Sequence, residues 1–271
     1  MKALSIILHD WSVRERFHTL DWLSAQTVPR DQYEIIWVEC YTRELEDVRA
    51  KVDELITLGQ EGLYHKHKAM NAGLAVAQGR IVTLCDSDAV YPPDFVASVL
   101  NSFTERKVLM HAEHRSHLSY PTGMSLGQIK QMPFFEGPPN VGACASMLRR
   151  DAIGFGGVDE HESYRGLICG HNELVWRLIN SGVPEVWHDS VFLYHFKHPG
   201  SDGGPESTHE WNGAVHDSMH NLTGVDAFRE GRLLPLAESP EIHRLRMNQR
   251  SIGTDLEKHY SIYHPEDVRA V

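Results

Sequence analysis

Leu4 to Leu8 form a nearly continuous apolar run with adjacent Ile6 and Ile7, the pattern of a strand buried on both faces. A polar break follows, and then an amphipathic stretch from Arg14 to Gln26 predicts a helix. After Pro29, the segment Tyr33-Glu34-Ile35-Ile36-Trp37-Val38 predicts a second buried strand that ends in Glu39, followed by a charged helical segment from Arg43 towards Leu58. A third unit comprises a helix from Met70 to Ala77, a stop at Gly79, the strand Ile81 to Cys85 and an acidic tip at Asp86-Ser87-Asp88. Pro93 is tolerated in the first turn of a helix near Val96 to Phe103, and Lys107 to Ala112 reads as another strand.

Further along, the pattern loosens. Pro121 to Pro139 is rich in Gly, Met, Gln and Pro and predicts a long loop; order returns at Val141. Arg149-Arg150-Asp151, the pair Gly156-Gly157, a helix from about Asn172 to Asn180 and a strand near Val191 to Tyr194 come next. Beyond Gly200 lies a Gly-rich polar tract and then helical periodicity broken near Pro235.

Strands alternating with helices predict an α/β fold whose mostly parallel central sheet is flanked by helices, with ligands at the carboxyl ends of the strands. Glu39 and Asp86 stand at those ends. The length, 271 residues, suits one large domain with an appendage.

Charge narrows the chemistry. Lys and Arg total 26 against 37 Asp and Glu, a net charge of -11, so there is no basic footprint for nucleic acid or an anionic membrane. An acidic protein that handles phosphates must neutralise them locally, most simply with a divalent metal. No apolar run reaches membrane-spanning length, and Cys40, Cys85, Cys144 and Cys169 are too far apart for a zinc knuckle or redox motif. Reduced thiols and a cytoplasmic location are the expectation. Eighteen histidines, several grouped as His65 and His67, His111, His114 and His117, or His195 and His198, are the unusual count.

Asp86 and Asp88, one residue apart at a strand end, offer two hard oxygen ligands of the kind that Mg²⁺ and Mn²⁺ prefer. The company they keep is informative. Four blocks, Ser5 to Leu8, Glu34 to Glu39, Lys68 to Gly79 running into Cys85-Asp86-Ser87-Asp88, and Met147 to Asp151 with Gly156 to Glu160, resemble in order the family 2 glycosyltransferases of the GT-A fold. The resemblance covers most of residues 1–200. It implies a GT-A-like domain there, with 1–105 as the nucleotide-binding half and 106–200 as the acceptor half, and a helical or irregular extension, 201–271, packed on it.

The resemblance also implies roles. Asp88 is the expected direct metal ligand, Asp86 a ligand through water or a ribose contact, and Glu39 a contact to the nucleoside. Ser87 and Asn71 belong to the same donor-binding blocks; from the residues themselves, Lys66, His67 and Lys68 are either cations for the diphosphate or a solvated basic trio, and Trp11 has two readings, packing on the base or in the core. His195, at a strand end, is the preferred third metal ligand, with His198 on the diphosphate or in a local hydrogen bond. Where the family carries an acidic pair, this chain reads Gly170-His171, followed by Asn172-Glu173-Leu174. Glu173 is therefore the expected general base and His171 its competitor.

The expected reaction is metal-dependent, inverting transfer of a sugar from a nucleotide-sugar, a UDP-sugar first, to a carbohydrate or other hydroxyl acceptor, with Mn²⁺ or Mg²⁺ as cofactor and a homodimer left open. The alternatives are a non-catalytic sugar-nucleotide-binding protein of the same fold and a sugar nucleotidyltransferase. The latter class opens on a glycine-rich loop, which His9 to Arg16 lacks.

Overall fold

A computed structural model describes residues 2–43, 45–136, 143–166, 172–198 and 236–249. β1 (Leu4–Asp10) leads through a loop into α1 (His18–Ser24), and β2 (Tyr33–Glu39) is followed by one turn of helix, α2 (Glu46–Arg49), and by β3 (Glu54–Thr57). α3 (Lys66–Val76) returns the chain to β4 (Ile81–Asp86), after which come the two-residue β5 (Ala89–Val90) and α4 (Phe95–Ser102). The second half runs β6 (Val108–Met110), β7 (Glu113–Ser119), α5 (Leu126–Ile129), β8 (Cys144–Leu148), α6 (Arg149–Gly154), α7 (Asn172–Asn180), β9 (Glu185–Trp187) and β10 (Leu193–Lys197). The last described element is α8 (Pro240–Asn248).

Seven strands form the main sheet in the order β3-β2-β1-β4-β8-β6-β9. The first four are parallel, and β8 is antiparallel to both β4 and β6. A smaller sheet, β5-β10-β7, stands at its edge. The expected α/β architecture with a mostly parallel sheet is thus present, and its register places Asp10 beside Glu39 and His9 beside Asp86. Acidic groups from three adjacent strands therefore converge on one rim, where the strand order reverses between β1 and β4.

β1 is buried along its whole length because it carries helices on both sides. Ile7 belongs to the core under α3, α6 and α7, whereas Leu4, Ile6 and Leu8 belong to the core on the other face, with α1 and α4. α3 lies so close to β1 that a Cβ on Gly73 would stand 2.4 Å from Ile7 Cγ2. Gly79 is tighter, since its Cβ would fall 2.5 Å from the backbone nitrogen of Ser5. α8 rests on α3 and α6 with Ile242 buried; the remainder of the 201–271 extension lies outside the described residues.

Several expected elements differ. The helix foreseen from Arg14 begins at His18, because Asp10 accepts the amides of Trp11, Val13 and Arg14 and bends them into a loop. The charged segment 43–58 is one helical turn plus the edge strand β3, whose Leu55 and Ile56 pair with Trp37 and Val38. Here sheet pairing overrides local pattern. In the 121–139 loop, Ser125 and Gln128 form a capping box that starts α5, while 137–139 lie outside the described residues. β7 and β9 carry no clear alternation and were not foreseen. Among the described residues no helix is long and apolar enough to cross a membrane.

Gly79→Ala is expected to destabilise the fold by about 2–3 kcal/mol and Gly73→Ala by less, because the Ile7 methyl can shift and the β1 backbone cannot. Urea midpoints of the two variants check the order; equal values would mean that the backbone yields.

Candidate active site at the strand ends

The β1 loop is shaped by the Asp10 carboxylate, which accepts from Trp11 N at 2.8 Å and Val13 N at 3.3 Å. Ser12 has φ 63°, a left-handed conformation that non-glycine residues seldom adopt, and its hydroxyl donates to Glu39 Oε1 at 2.6 Å. This bend turns Trp11 and Arg14 inward. Trp11 stacks on Tyr64 with ring centroids 4.7 Å apart, so of its two readings the core one describes it. It also serves as a platform: the guanidinium of Arg14 lies 4.6 Å and the ammonium of Lys66 4.8 Å from its ring centre.

Each cation meets one aspartate. Arg14 Nη2 is 2.6 Å from Asp88 Oδ2, and Lys66 Nζ is 3.7 Å from Asp86 Oδ1, with His9 Nε2 at 3.8 Å from the same oxygen. Burial works to raise the Asp88 carboxyl, but Arg14, then His195 and hydrogen bonds from His195 and His198, hold it well below the usual range. Asp86 moves upward instead, because burial and Asp88 prevail over Lys66 and Arg14. Of the basic trio, Lys68 points to Glu162, 3.7 Å away, whereas Lys66 is buried against the aspartates.

β10 brings two imidazoles to the same place. His198 Nε2 is 3.0 Å and His195 Nε2 3.6 Å from Asp88 Oδ2, and the two nitrogens are 3.2 Å apart. Asp88 Oδ1 is buried without a hydrogen-bond partner. Although burial opposes its charge, His195 is raised by Asp88 and Glu113. His18, pushed down to about 4 chiefly by burial, is a neutral ring that donates Nε2–H to the Asp88 carbonyl at 3.1 Å. Asp86, Asp88 and Glu113 form a second, all-carboxylate group with oxygens within 4.8 Å of one another.

Three other expected site residues, Ser87, Asn71 and Glu173, make contacts within the protein. Ser87 donates its hydroxyl to the His9 carbonyl at 2.6 Å, tying β4 to β1. The Asn71 side chain clamps the Gly157–Glu160 turn, accepting from Val158 N at 2.9 Å and donating to Val158 O at 2.7 Å. His65 and His67 donate to the carbonyls of Glu160 and Asp159 in the same turn. Glu173 is 6% exposed, and both its oxygens are engaged: Oε1 by Arg177 Nε, Oε2 by Arg177 Nη2 at 3.0 Å and by Asp159 N at 3.0 Å. These bonds tie Glu173 to Arg177 and to the Asp159 amide. His171 lies outside the described residues. Glu39 is buried at the rim, where burial, followed by Asp10, raises it to about 7.

The family profile described as Glycosyl transferase family 2 matches residues 19–154, half of the chain. The chain belongs to glycosyl transferase family 2. No curated protein matches it. Among solved structures, the glycosyltransferase is similar to residues 1–349 of Staphylococcus aureus TarS in complex with UDP, at 13% identity and TM-score 0.53 over 84% of this chain and 72% of that one. It is also similar to the mannosyltransferase PcManGT of Pyrobaculum calidifontis in complex with GDP-Man and Mn²⁺, at 17% identity and TM-score 0.51 over 99% and 76% of the two chains. These likenesses show the fold.

Asp159, like Glu39, is a buried acid raised to about 7, by burial first and Glu173 second. Both folded-state values exceed the unfolded ones, so the folded glycosyltransferase holds more protons between about pH 4 and 7 and these two acids make it less stable as pH rises through that window. Asp159→Asn keeps an oxygen for the amides of His161 and Ala237 and is expected to flatten that decline, raising Tm at pH 7.5 by about 2–4 °C. A Tm-against-pH curve parallel to that of the parent enzyme refutes it.

Proposed function

We propose that this glycosyltransferase transfers a sugar, with inversion, from a nucleoside diphosphate sugar to an acceptor hydroxyl, using a divalent ion held by Asp88, His195 and His198. The observation that carries this is the size of the ligand triangle. Its sides are 3.0, 3.2 and 3.6 Å. Ligand atoms roughly 3.0–3.4 Å apart are what an ion with bonds of about 2.1 Å requires at octahedral or tetrahedral angles; two sides fall in that range and the His195–Asp88 side is slightly longer. The orphaned, buried Asp88 Oδ1 is a further oxygen ligand. Two imidazoles beside one carboxylate suit Mn²⁺ better than Mg²⁺, which favours oxygen alone.

When bound, such an ion supplies Lewis acidity towards the departing diphosphate. The chain's own residues do the rest. Arg14 and Lys66, fixed on the Trp11 ring before any donor arrives, set two positive charges where the diphosphate oxygens gain negative charge, and a preorganised charge in a water-poor site needs no reorganisation during reaction. Glu39 and Ser12 mark the nucleoside end at the tips of β1 and β2. Glu173 and Arg177 hold the Gly157–Asp159 turn. Of the two base candidates, this leaves proton acceptance from the acceptor hydroxyl to His171. A UDP-sugar is the first donor to test: TarS structures contain UDP or UDP-GlcNAc, and that of PcManGT contains GDP-Man.

Nucleotide release from UDP-sugars and GDP-sugars should require Mn²⁺ and stop with chelator. Asp88→Asn should lower the rate at least about 100-fold, equivalent to ~2.7 kcal/mol of barrier, and His198→Ala should weaken Mn²⁺ in a direct titration. Turnover indifferent to chelator and to Asp88→Asn refutes the metal reading. Tight UDP and Mn²⁺ binding without release from any donor favours the non-catalytic alternative.

A further inference from the structure

We infer that Glu113 is a positioning residue of the metal centre, the acid whose charge lets a divalent cation settle in a pocket that already holds two positive side chains; this inference rests on the reading of Asp88, His195 and His198 as metal ligands.

The problem that Glu113 solves is one of charge. Arg14 Nη2 stands 2.6 Å from Asp88 Oδ2, the oxygen that faces both imidazoles, and Lys66 Nζ stands 3.7 Å from Asp86 Oδ1. Both cations are buried, so water and salt screen them little. Two aspartates matched by two buried cations leave no net charge to attract a further cation, and an ion bound at Asp88 Oδ2 faces the Arg14 guanidinium. A third carboxylate reverses that balance, and in such a place its charge acts more strongly than it would in water.

Glu113 is that carboxylate. It begins β7, is 1% exposed, and shares with Asp86 and Asp88 a group of oxygens within 4.8 Å of one another. Arg14 and Lys66 reach the aspartates from the β1 loop and α3, whereas Glu113 comes from the smaller sheet. There β7 runs parallel to β10, with Leu193 beside Glu113 and His195 beside Arg115, so strand alternation puts Glu113, Arg115 and His195 on one face. His195 responds to this neighbour: although burial opposes its charge, Asp88 and then Glu113 raise it. Arg115 pairs with Glu113, Nε to Oε1, at 3.6 Å, but the arginine side chain is 36% exposed and its charge is shared with water. Three carboxylates against two buried cations leave the centre negative, and Asp88 Oδ1, buried without a hydrogen-bond partner, is an oxygen available to the ion.

The test titrates Mn²⁺ into the nucleotide-free full chain, following the EPR signal of the free ion, for the parent, E113Q and R115Q. E113Q removes the charge, keeps the shape, and is expected to weaken Mn²⁺ at least about tenfold. R115Q, which removes the outer cation, is expected to bind Mn²⁺ within about twofold of the parent or more tightly. An ion pair that serves the fold alone makes the opposite demand, because breaking it from either side does the same damage. Binding by R115Q more than about twofold weaker than the parent therefore overturns the inference, as does E113Q that binds like the parent. Should the melting temperature show that E113Q does not fold, the double variant E113Q/R115Q takes its place: weak Mn²⁺ binding supports the inference and parent-like binding overturns it. A parent chain that binds no Mn²⁺ removes the metal reading itself and this inference with it; equal binding by parent and E113Q removes this inference alone.

Discussion

Two carboxylates at the tip of β4, Asp88 buried and Asp86 partly buried, are the constraint to which the neighbouring structure answers. Asp88 is 5% exposed among apolar strands, and a charge so placed persists only when it is paired. Arg14 and Lys66 provide that pairing, and both lie on Trp11, which itself is stacked on Tyr64. The left-handed Ser12 and the amides gathered by Asp10 are the backbone cost of carrying Arg14 from a would-be helix into the site. Strain in the β1 loop, the cation–aromatic contacts and the acidic tip therefore form one electrostatic unit.

A second unit, in the later part of the chain, supports the first. The Gly157–Glu160 turn is gripped by Asn71, His65 and His67 on one side and by Glu173 with Arg177 on the other, and Arg177 also donates to the carbonyls of Phe155 and Gly157. Because α3 contributes both Lys66 to the aspartates and Asn71 to this turn, the helix couples the two halves. Gly157 permits the clamp: its φ is +68°, and a Cβ there would stand 2.4 Å from Asn71 Oδ1.

Although the molecule carries a net charge of -11, Arg14 and Lys66 are concentrated beside Asp86 and Asp88, and His195 and His198 form with Asp88 a group that could hold a metal ion. Site chemistry here depends on how charges are sorted in space, not on their total.

Much was legible in the chain itself. Nearly continuous apolar runs at Leu4–Leu8, Tyr33–Val38 and Ile81–Cys85, each with a single polar residue, dictated strands buried on both faces, and acids directly after two of them dictated a polar rim. The acidic tip Asp86-Ser87-Asp88 follows directly from the end of the third run, and His195 lies within β10, one residue beyond the strand expected from the pattern. What tertiary structure alone decided was partnership. Lys66 and Lys68 are indistinguishable in sequence, yet helical spacing turns one into the aspartates and the other to Glu162. Glu173 reads as an available base until Arg177, one helical turn on, and the amide of Asp159 are found on its oxygens. Arg14 reads as part of a helix until Asp10 takes its amide. Pairing of charges depends on distances of a few ångströms between segments far apart in the chain, and no local pattern encodes those distances.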